Sequence, residues 1–168
     1  MISSRRYAVV AFAIGFAVCA VDVVSKILVV AELSGRPPVT LLGGAITLQL
    51  YRNAGAAFGV GPSFTAIYAL VAAAVLVAIV RVSGRLRSWL WATALGLVLG
   101  GAAGNLADRV FRSPGPMRGW VIDWIKLPYF PETFNIADSA LTFGVVLLVL
   151  ASIRGQVRQK AVRTAAEQ

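Results

Sequence analysis

Long apolar runs separated by polar, Gly- and Pro-containing connections set the pattern of this chain. The first run extends from about Tyr7 to Ala31 and is broken only by Asp22, Ser25 and Lys26. The second covers about 63–80, the third about 89–107 and the fourth about 136–153. Each is close to the ~20 residues that a helix needs to cross hydrocarbon. The fourth is among the shortest, which tilt or local bilayer thinning would accommodate. Between the first two runs, Ala45-Ile-Thr-Leu-Gln-Leu-Tyr-Arg52 partly alternates apolar with polar, the period of a strand. Gly43-Gly44 before it and Asn53-Ala54-Gly55 after it are turn signals. This predicts a small sheet lying on the membrane surface. The second long connection contains Ser113-Pro-Gly-Pro116, which cannot be regular. Trp120, Trp124 and Tyr129 follow, and such aromatics favour the interface. Asp123 is read there as a loop residue.

Composition supports the membrane reading. Of 168 residues, 58% are apolar and only 14% charged, against about a quarter charged in a soluble domain. Mean hydropathy is +0.79. The chain is expected to form one integral membrane domain over its whole length. A net charge of +9 would suggest nucleic acid in a soluble protein. Here the basic residues cluster beside the apolar runs, so no nucleic-acid partner is expected. Arg5 and Arg6, then Arg81, Arg85 and Arg87, then Arg154, Arg158, Lys160 and Arg163 all fall on one side of a four-span chain. The positive-inside rule puts that side, with both termini, in the cytoplasm, and the connections 32–62 and 108–135 outside. Both outer connections still carry Arg. Val18-Cys19-Ala20 resembles a signal cleavage site, but the apolar run continues to Ala31, far beyond a signal core. A single cysteine allows no intrachain disulfide. The absence of histidine removes Ser-His-Asp and Cys-His catalysis and the commonest zinc ligand.

The candidate chemistry lies in a few polar residues. Asn105-Leu-Ala-Asp108 ends the third run and Asn135-Ile-Ala-Asp138 opens the fourth. Each sets an amide three residues before a carboxylate, and because ionisable groups in such runs are costly, the pairs suggest an active or ion-binding site near one membrane face. Asp22 lies fifteen residues beyond Tyr7, about 22 Å along a helix, so it reaches the same depth, near the outer boundary. Each residue also has an ordinary reading. Asp22 and Lys26 form an i,i+4 pair, or Lys26 snorkels to the surface. Asn135 or Asp138 caps a helix. Asp108 pairs with the adjacent Arg109, and Asp123 is a plain loop carboxylate. Their common depth is what favours a site. Ser25 and Lys26 point about 100° apart and make no Ser–Lys dyad. Two chemistries suit carboxylates and amides without histidine. One is hydrolysis by two aspartates that share a proton. The other is a hard-cation site, and a small cation transporter or a non-catalytic tetraspan scaffold are the other classes.

At these residues the chain resembles the lipoprotein signal peptidase (signal peptidase II) family over nearly its whole length. The resemblance rests on Asp22-x-x-x-Lys26, Asn53-Ala-Gly-Ala-Ala-Phe-Gly59, Gly100-Gly-Ala-Ala-Gly-Asn-Leu-Ala-Asp-Arg109, Val121-Ile-Asp123 and Phe134-Asn-Ile-Ala-Asp138. It implies an all-α membrane protein of four transmembrane helices, with a small extracytoplasmic β-sheet and a loop or short-helix lid. It also implies a membrane aspartyl endopeptidase that cuts diacylglyceryl-modified prolipoproteins on the N-terminal side of the lipidated cysteine. The resemblance makes Asp123 and Asp138 the catalytic dyad. Asn53, Gly55, Asn105, Asp108, Arg109 and Asn135 become its supporting shell, and Asp22 with Lys26 a structural pair. No metal or other cofactor is expected. The expected partners are prolipoprotein substrates, membrane lipids and globomycin-type inhibitors, and the chain is expected to act as a monomer. Two features depart from the family pattern. Trp124 stands where Phe is usual, and the stretch from Arg109 to Asp123 is longer than in many members.

Overall fold

The computed structural model describes residues 4–55 and 65–166, with side chains to Gln156. Gly59 and the expected start of the second span lie outside the described residues. The helices are α1 (Ser4–Leu33), α2 (Thr65–Ser83), α3 (Trp89–Phe111) and α4 (Ile136–Ala166). All four are long and apolar enough to cross a membrane, α4 through Ile136–Gln156. The fourth span is therefore longer than the apolar run alone suggested.

Helix α3 is the centre of the bundle. Half of its spanning window is buried, against 17–22% for each of the others. Its small residues make this possible. A Cβ on Gly96 would stand 2.8 Å from the Ala11 carbonyl of α1, and one on Gly101 would stand 2.5 Å from the Ala137 carbonyl of α4. Lipid tails are as apolar as side chains, so helices associate through such close backbone packing. At the far end, the Ser88 hydroxyl accepts from the Trp91 N–H and caps α3. The rings of Tyr7 and Trp89 meet edge to face, with centroids 5.0 Å apart, and tie the starts of α1 and α3 together.

A four-stranded antiparallel sheet closes the other end of the bundle, in the order β1 (Val39–Leu41), β2 (Ile46–Asn53), β3 (Val121–Lys126) and β4 (Thr133–Phe134). It follows the C-terminal ends of α1 and α3 and precedes the N-terminal ends of α2 and α4. The strand expected at 45–52 is β2. The loop reading of 121–126 is corrected: Asp123 sits on a strand, paired with Tyr51, with Asn53 opposite Val121. The sequence hid β3 because Val121, Ile122 and Asp123 are all buried. A strand covered on both faces loses the alternation that betrays one. Part of the segment expected as a lid is thus sheet. Among the described connections, the short helix is a 3-10 turn at Leu42–Gly44, in the first loop. The longer stretch after Arg109 folds back on α3. Gly119 N–H donates to the Arg109 carbonyl at 2.9 Å, and Trp120 N–H to the Ser113 carbonyl at 3.0 Å. A side chain on Gly119 would collide with the Asp108 carbonyl.

Candidate active site

Under the sheet, residues from α1, α3, β2, β3 and α4 form one polar network. The expected N-terminal cap of α4 is present as a reciprocal box. Asn135 Oδ1 accepts from the Asp138 N–H at 2.9 Å, and Asp138 Oδ2 accepts from the Asn135 N–H at 3.1 Å. Asp22 reaches across from α1 and accepts from the Ala137 N–H at 2.8 Å. Three orphan donors at the start of a helix are thereby satisfied, two of them by carboxylates that its dipole favours. Gly104 of α3 makes room, because a Cβ there would strike Asp22 Oδ2.

Lys26 is fully buried and turns inward, so the snorkelling reading is corrected. Its ammonium lies 2.7 Å from Asp22 Oδ2 and 2.9 Å from Asp108 Oδ2, and it donates to Asn105 Oδ1 at 3.0 Å. Two ion pairs and a hydrogen bond surround the ammonium, and a buried charge requires such partners. The expected Asp108–Arg109 pair is also corrected. Neighbouring helical residues point apart, and Asp108 is held instead by Lys26 and by Arg112, one turn on. Asp108 Oδ2 also accepts from the Ile122 N–H at 3.1 Å, which anchors β3 to the end of α3. Arg112 was missed in the sequence, although its i,i+4 spacing from Asp108 was legible. Arg109 donates to the carbonyls of Asn105 at 3.1 Å and Gly55 at 3.3 Å, and its guanidinium carbon lies 5.9 Å from the Tyr68 ring centroid. The Ser25 hydroxyl bonds the Asp22 carbonyl, away from Lys26.

Asp123 and Asp138 are the ends of this network. Asn135 Nδ2 donates to Asp123 Oδ1 at 2.6 Å, and Asn53 Nδ2 to Asp123 Oδ2 at 3.0 Å. The amide of Asn53 is itself oriented, since its Oδ1 accepts from the Gly55 N–H at 2.9 Å. Asn105 Nδ2 donates to Asp138 Oδ1 at 2.8 Å. Asn135 Nδ2 also donates to Asn105 Oδ1 at 3.2 Å, so Asn135, through this amide and its backbone N–H, links both carboxylates and the third helix. Both aspartates line a groove of about 500 Å³, whose walls include Val121, Leu127, Phe130, Phe134 and Leu141. Asp123 is 2% exposed. Burial pushes its carboxyl up to about 7, helped by the nearby charge of Asp138, while Asn53, Asn135 and the more distant Lys26 pull the other way.

The four aspartates thus divide. Asp22 and Asp108 are closed off around an ammonium that belongs to the chain itself. Asp123 and Asp138 open onto an apolar groove. One of the two holds its proton near neutral pH, which is the arrangement that carboxylate-pair hydrolysis needs.

Residues 14–154 match the model of the family described as signal peptidase (SPase) II. This chain belongs to the signal peptidase II family. The lipoprotein signal peptidase of Streptomyces coelicolor is 47% identical over 151 residues, covering 90% of this chain and 74% of that protein. That of Streptomyces griseus is 48% identical over 134 residues, covering 80% and 68%. The Mycobacterium tuberculosis protein of the same name is 44% identical over 138 residues, covering 82% and 68%. Among solved structures, a bacterial membrane enzyme determined by the in meso method at 2.3 Å resolution superposes with a TM-score of 0.75 at 27% identity, covering 87% of this chain and 88% of that one. Membership in this family makes the chain a multi-pass membrane peptidase and removes the transporter and scaffold readings from favour.

Proposed function

We propose that this signal peptidase II is an aspartic endopeptidase that removes the signal peptide from diacylglyceryl-modified prolipoproteins, with Asp123 and Asp138 as its dyad. The observation that carries this reading is that these two carboxylates alone, of the four buried or helix-end aspartates described, face the groove. A groove with apolar walls suits a substrate whose signal helix and acyl chains already lie in the bilayer.

In the proposed reaction, a peptide carbonyl enters between the two carboxyls. Asp138, held by Asn105 and by the Asn135 N–H, takes a proton from water as its oxygen adds to the carbonyl carbon. Protonated Asp123 hydrogen-bonds the carbonyl oxygen and stabilises its developing charge. As the C–N bond breaks, the leaving nitrogen receives a proton from the dyad, and the carbonyl re-forms as a carboxylic acid. Asn53 and Asn135 hold the Asp123 carboxyl in place. Asp108 supports it at one remove, by fixing the Ile122 N–H beside it. Asp22 and Lys26 seat the start of α4. The positive-inside rule places the basic end of the bundle, with both termini, in the cytoplasm and the groove at the outer face. The turn between β3 and β4, with Phe130, is the part of the second loop best placed to cover a bound substrate.

The test is incubation of purified protein with matched diacylglyceryl-modified and unmodified prolipoprotein. Release of the signal peptide from the modified form only, blocked by globomycin, is the expected result. Equal cleavage of both forms would count against this substrate assignment.

A further inference from the structure

The two faces of the β2–β3 pair carry different chemistry. Asn53, Val121 and Asp123 face the groove. On the opposite face, Arg52 is paired with Ile122 across the ladder. That face and the ends of α1 and α3 enclose a second cavity of about 440 Å³, lined by Val30, Arg52, Phe111, Arg112, Ser113 and Trp120 among others. Its lining contains no carboxylate. Asp108, the acid that Arg112 pairs with, is already held by Lys26, Arg112 and the Ile122 N–H. Arg112 uses its Nε on Asp108 and is 26% exposed, so its remaining guanidinium donors are available to the cavity. Arg52 is exposed and makes no ion pair with another described residue. Two guanidinium groups therefore border one cavity whose lining offers them no carboxylate.

The surroundings indicate which anion fits. Phe111 is the last residue of α3, whose 23 residues span about 34 Å. A helix of that length would carry it to headgroup level, just past the ~30 Å hydrocarbon core. It is 84% exposed and Trp120 is 42% exposed, and aromatic residues of this kind mark the interface. A soluble anion has no use for an exposed phenyl and an indole, whereas an acylated glycerol does. Planar guanidinium donors match the paired oxygens of a phosphate, and basic pockets beside membrane helices are used for lipid headgroups. This also accounts for arginines at the end of the bundle where the charge rule expects few.

We propose that this cavity holds the phosphate of an anionic phospholipid, with Arg52 and Arg112 as its ligands and Phe111 and Trp120 against its glycerol and upper acyl chains. The site lies back to back with the groove and does not depend on which carboxylates perform the chemistry.

Native mass spectrometry of the full chain, released from micelles doped with equal phosphatidylglycerol and phosphatidylcholine, tests it. One phosphatidylglycerol should be retained in preference to phosphatidylcholine. Arg52→Gln should lower that retention about tenfold, the worth of one charge-assisted contact, and Arg112→Gln should do the same. Arg85→Gln, at the opposite end, should leave it unchanged. Because Arg112 also holds Asp108, the exposed Arg52 decides the matter if the Arg112 variant folds poorly. Equal retention of both lipids, or an unaffected Arg52→Gln, overturns the proposal. Displacement of the lipid by equimolar inorganic phosphate or by a soluble acidic peptide overturns it too, in favour of a soluble anion or a protein partner.

Discussion

Replacing Asp123 by Asn removes a carboxyl and leaves a side chain of nearly the same shape, so its effect on stability can be worked out with its sign. The folded-state pKa of Asp123 is about 7, against an ordinary value of 3.8. The folded protein therefore binds this proton more tightly than the unfolded chain does. Stability from this group is fully present below about pH 4 and is lost as pH rises to about 7. That difference corresponds to about 4 kcal/mol. Asparagine cannot titrate and escapes that loss. It has its own penalty, because Asp123 accepts from both Asn135 and Asn53. An amide nitrogen can accept from neither, and one unsatisfied buried donor costs about 1–3 kcal/mol. The variant should thus melt below the parent at pH 4 and above it at pH 8, with the difference in Tm swinging by on the order of 10 °C. Thermal unfolding of both proteins in the same detergent, in steps of half a pH unit, measures this. Turnover of the lipidated substrate, measured in parallel, should be lost in Asp123→Asn at every pH. A Tm difference that stays constant from pH 4 to 8 would show that Asp123 titrates normally and holds no proton for catalysis. Near-normal turnover in a folded Asp123→Asn protein, beside a dead but folded Asp108→Asn protein, would show that the partner of Asp138 was wrongly chosen.

Other perturbations follow from the same network. Asp138→Asn should also abolish turnover while the protein stays folded and still binds globomycin, read by cleavage rate beside Tm; retained turnover would remove it from the dyad. Lys26→Met leaves the buried Asp22 without its cation and Asp108 with Arg112 alone, and should destabilise by about 3–5 kcal/mol, visible as a large drop in Tm; an unchanged Tm would mean the pair is not structural. Reporter fusions at Arg85 and at Gly115 should report opposite sides of the membrane, and the same side for both would break the four-span topology. Cleavage should survive an excess of chelator, and a complete loss that magnesium restores would point back to a cation site.

Much of this protein is legible in its sequence because the bilayer is a simple solvent. Crossing it demands about 20 apolar residues with internally satisfied backbone, so four spans and their ends can be read by length. Depth then follows from 1.5 Å per residue, and it brought Asp22, Asn105, Asp108, Asn135 and Asp138 to one level before any contact was known. What depth cannot determine is direction. Whether Lys26 turns to the surface or into the bundle depends on which helix faces it, and only the packing of α1 on α3 put three acceptors around its ammonium. The partner of Asp108 was likewise ambiguous between a sequence neighbour and a residue one turn away, and helix geometry chose Arg112. The strand that carries Asp123 was invisible because burial on both faces erases the period of two. Asp123 became a site residue through that strand, since β3 sets it beneath Asn53 of β2 and within reach of Asn135 of α4. Sequence determines how far along its own segment each polar group lies, because that is a local count of residues. Tertiary structure decides which of them touch, because that depends on contacts between separate segments of the chain.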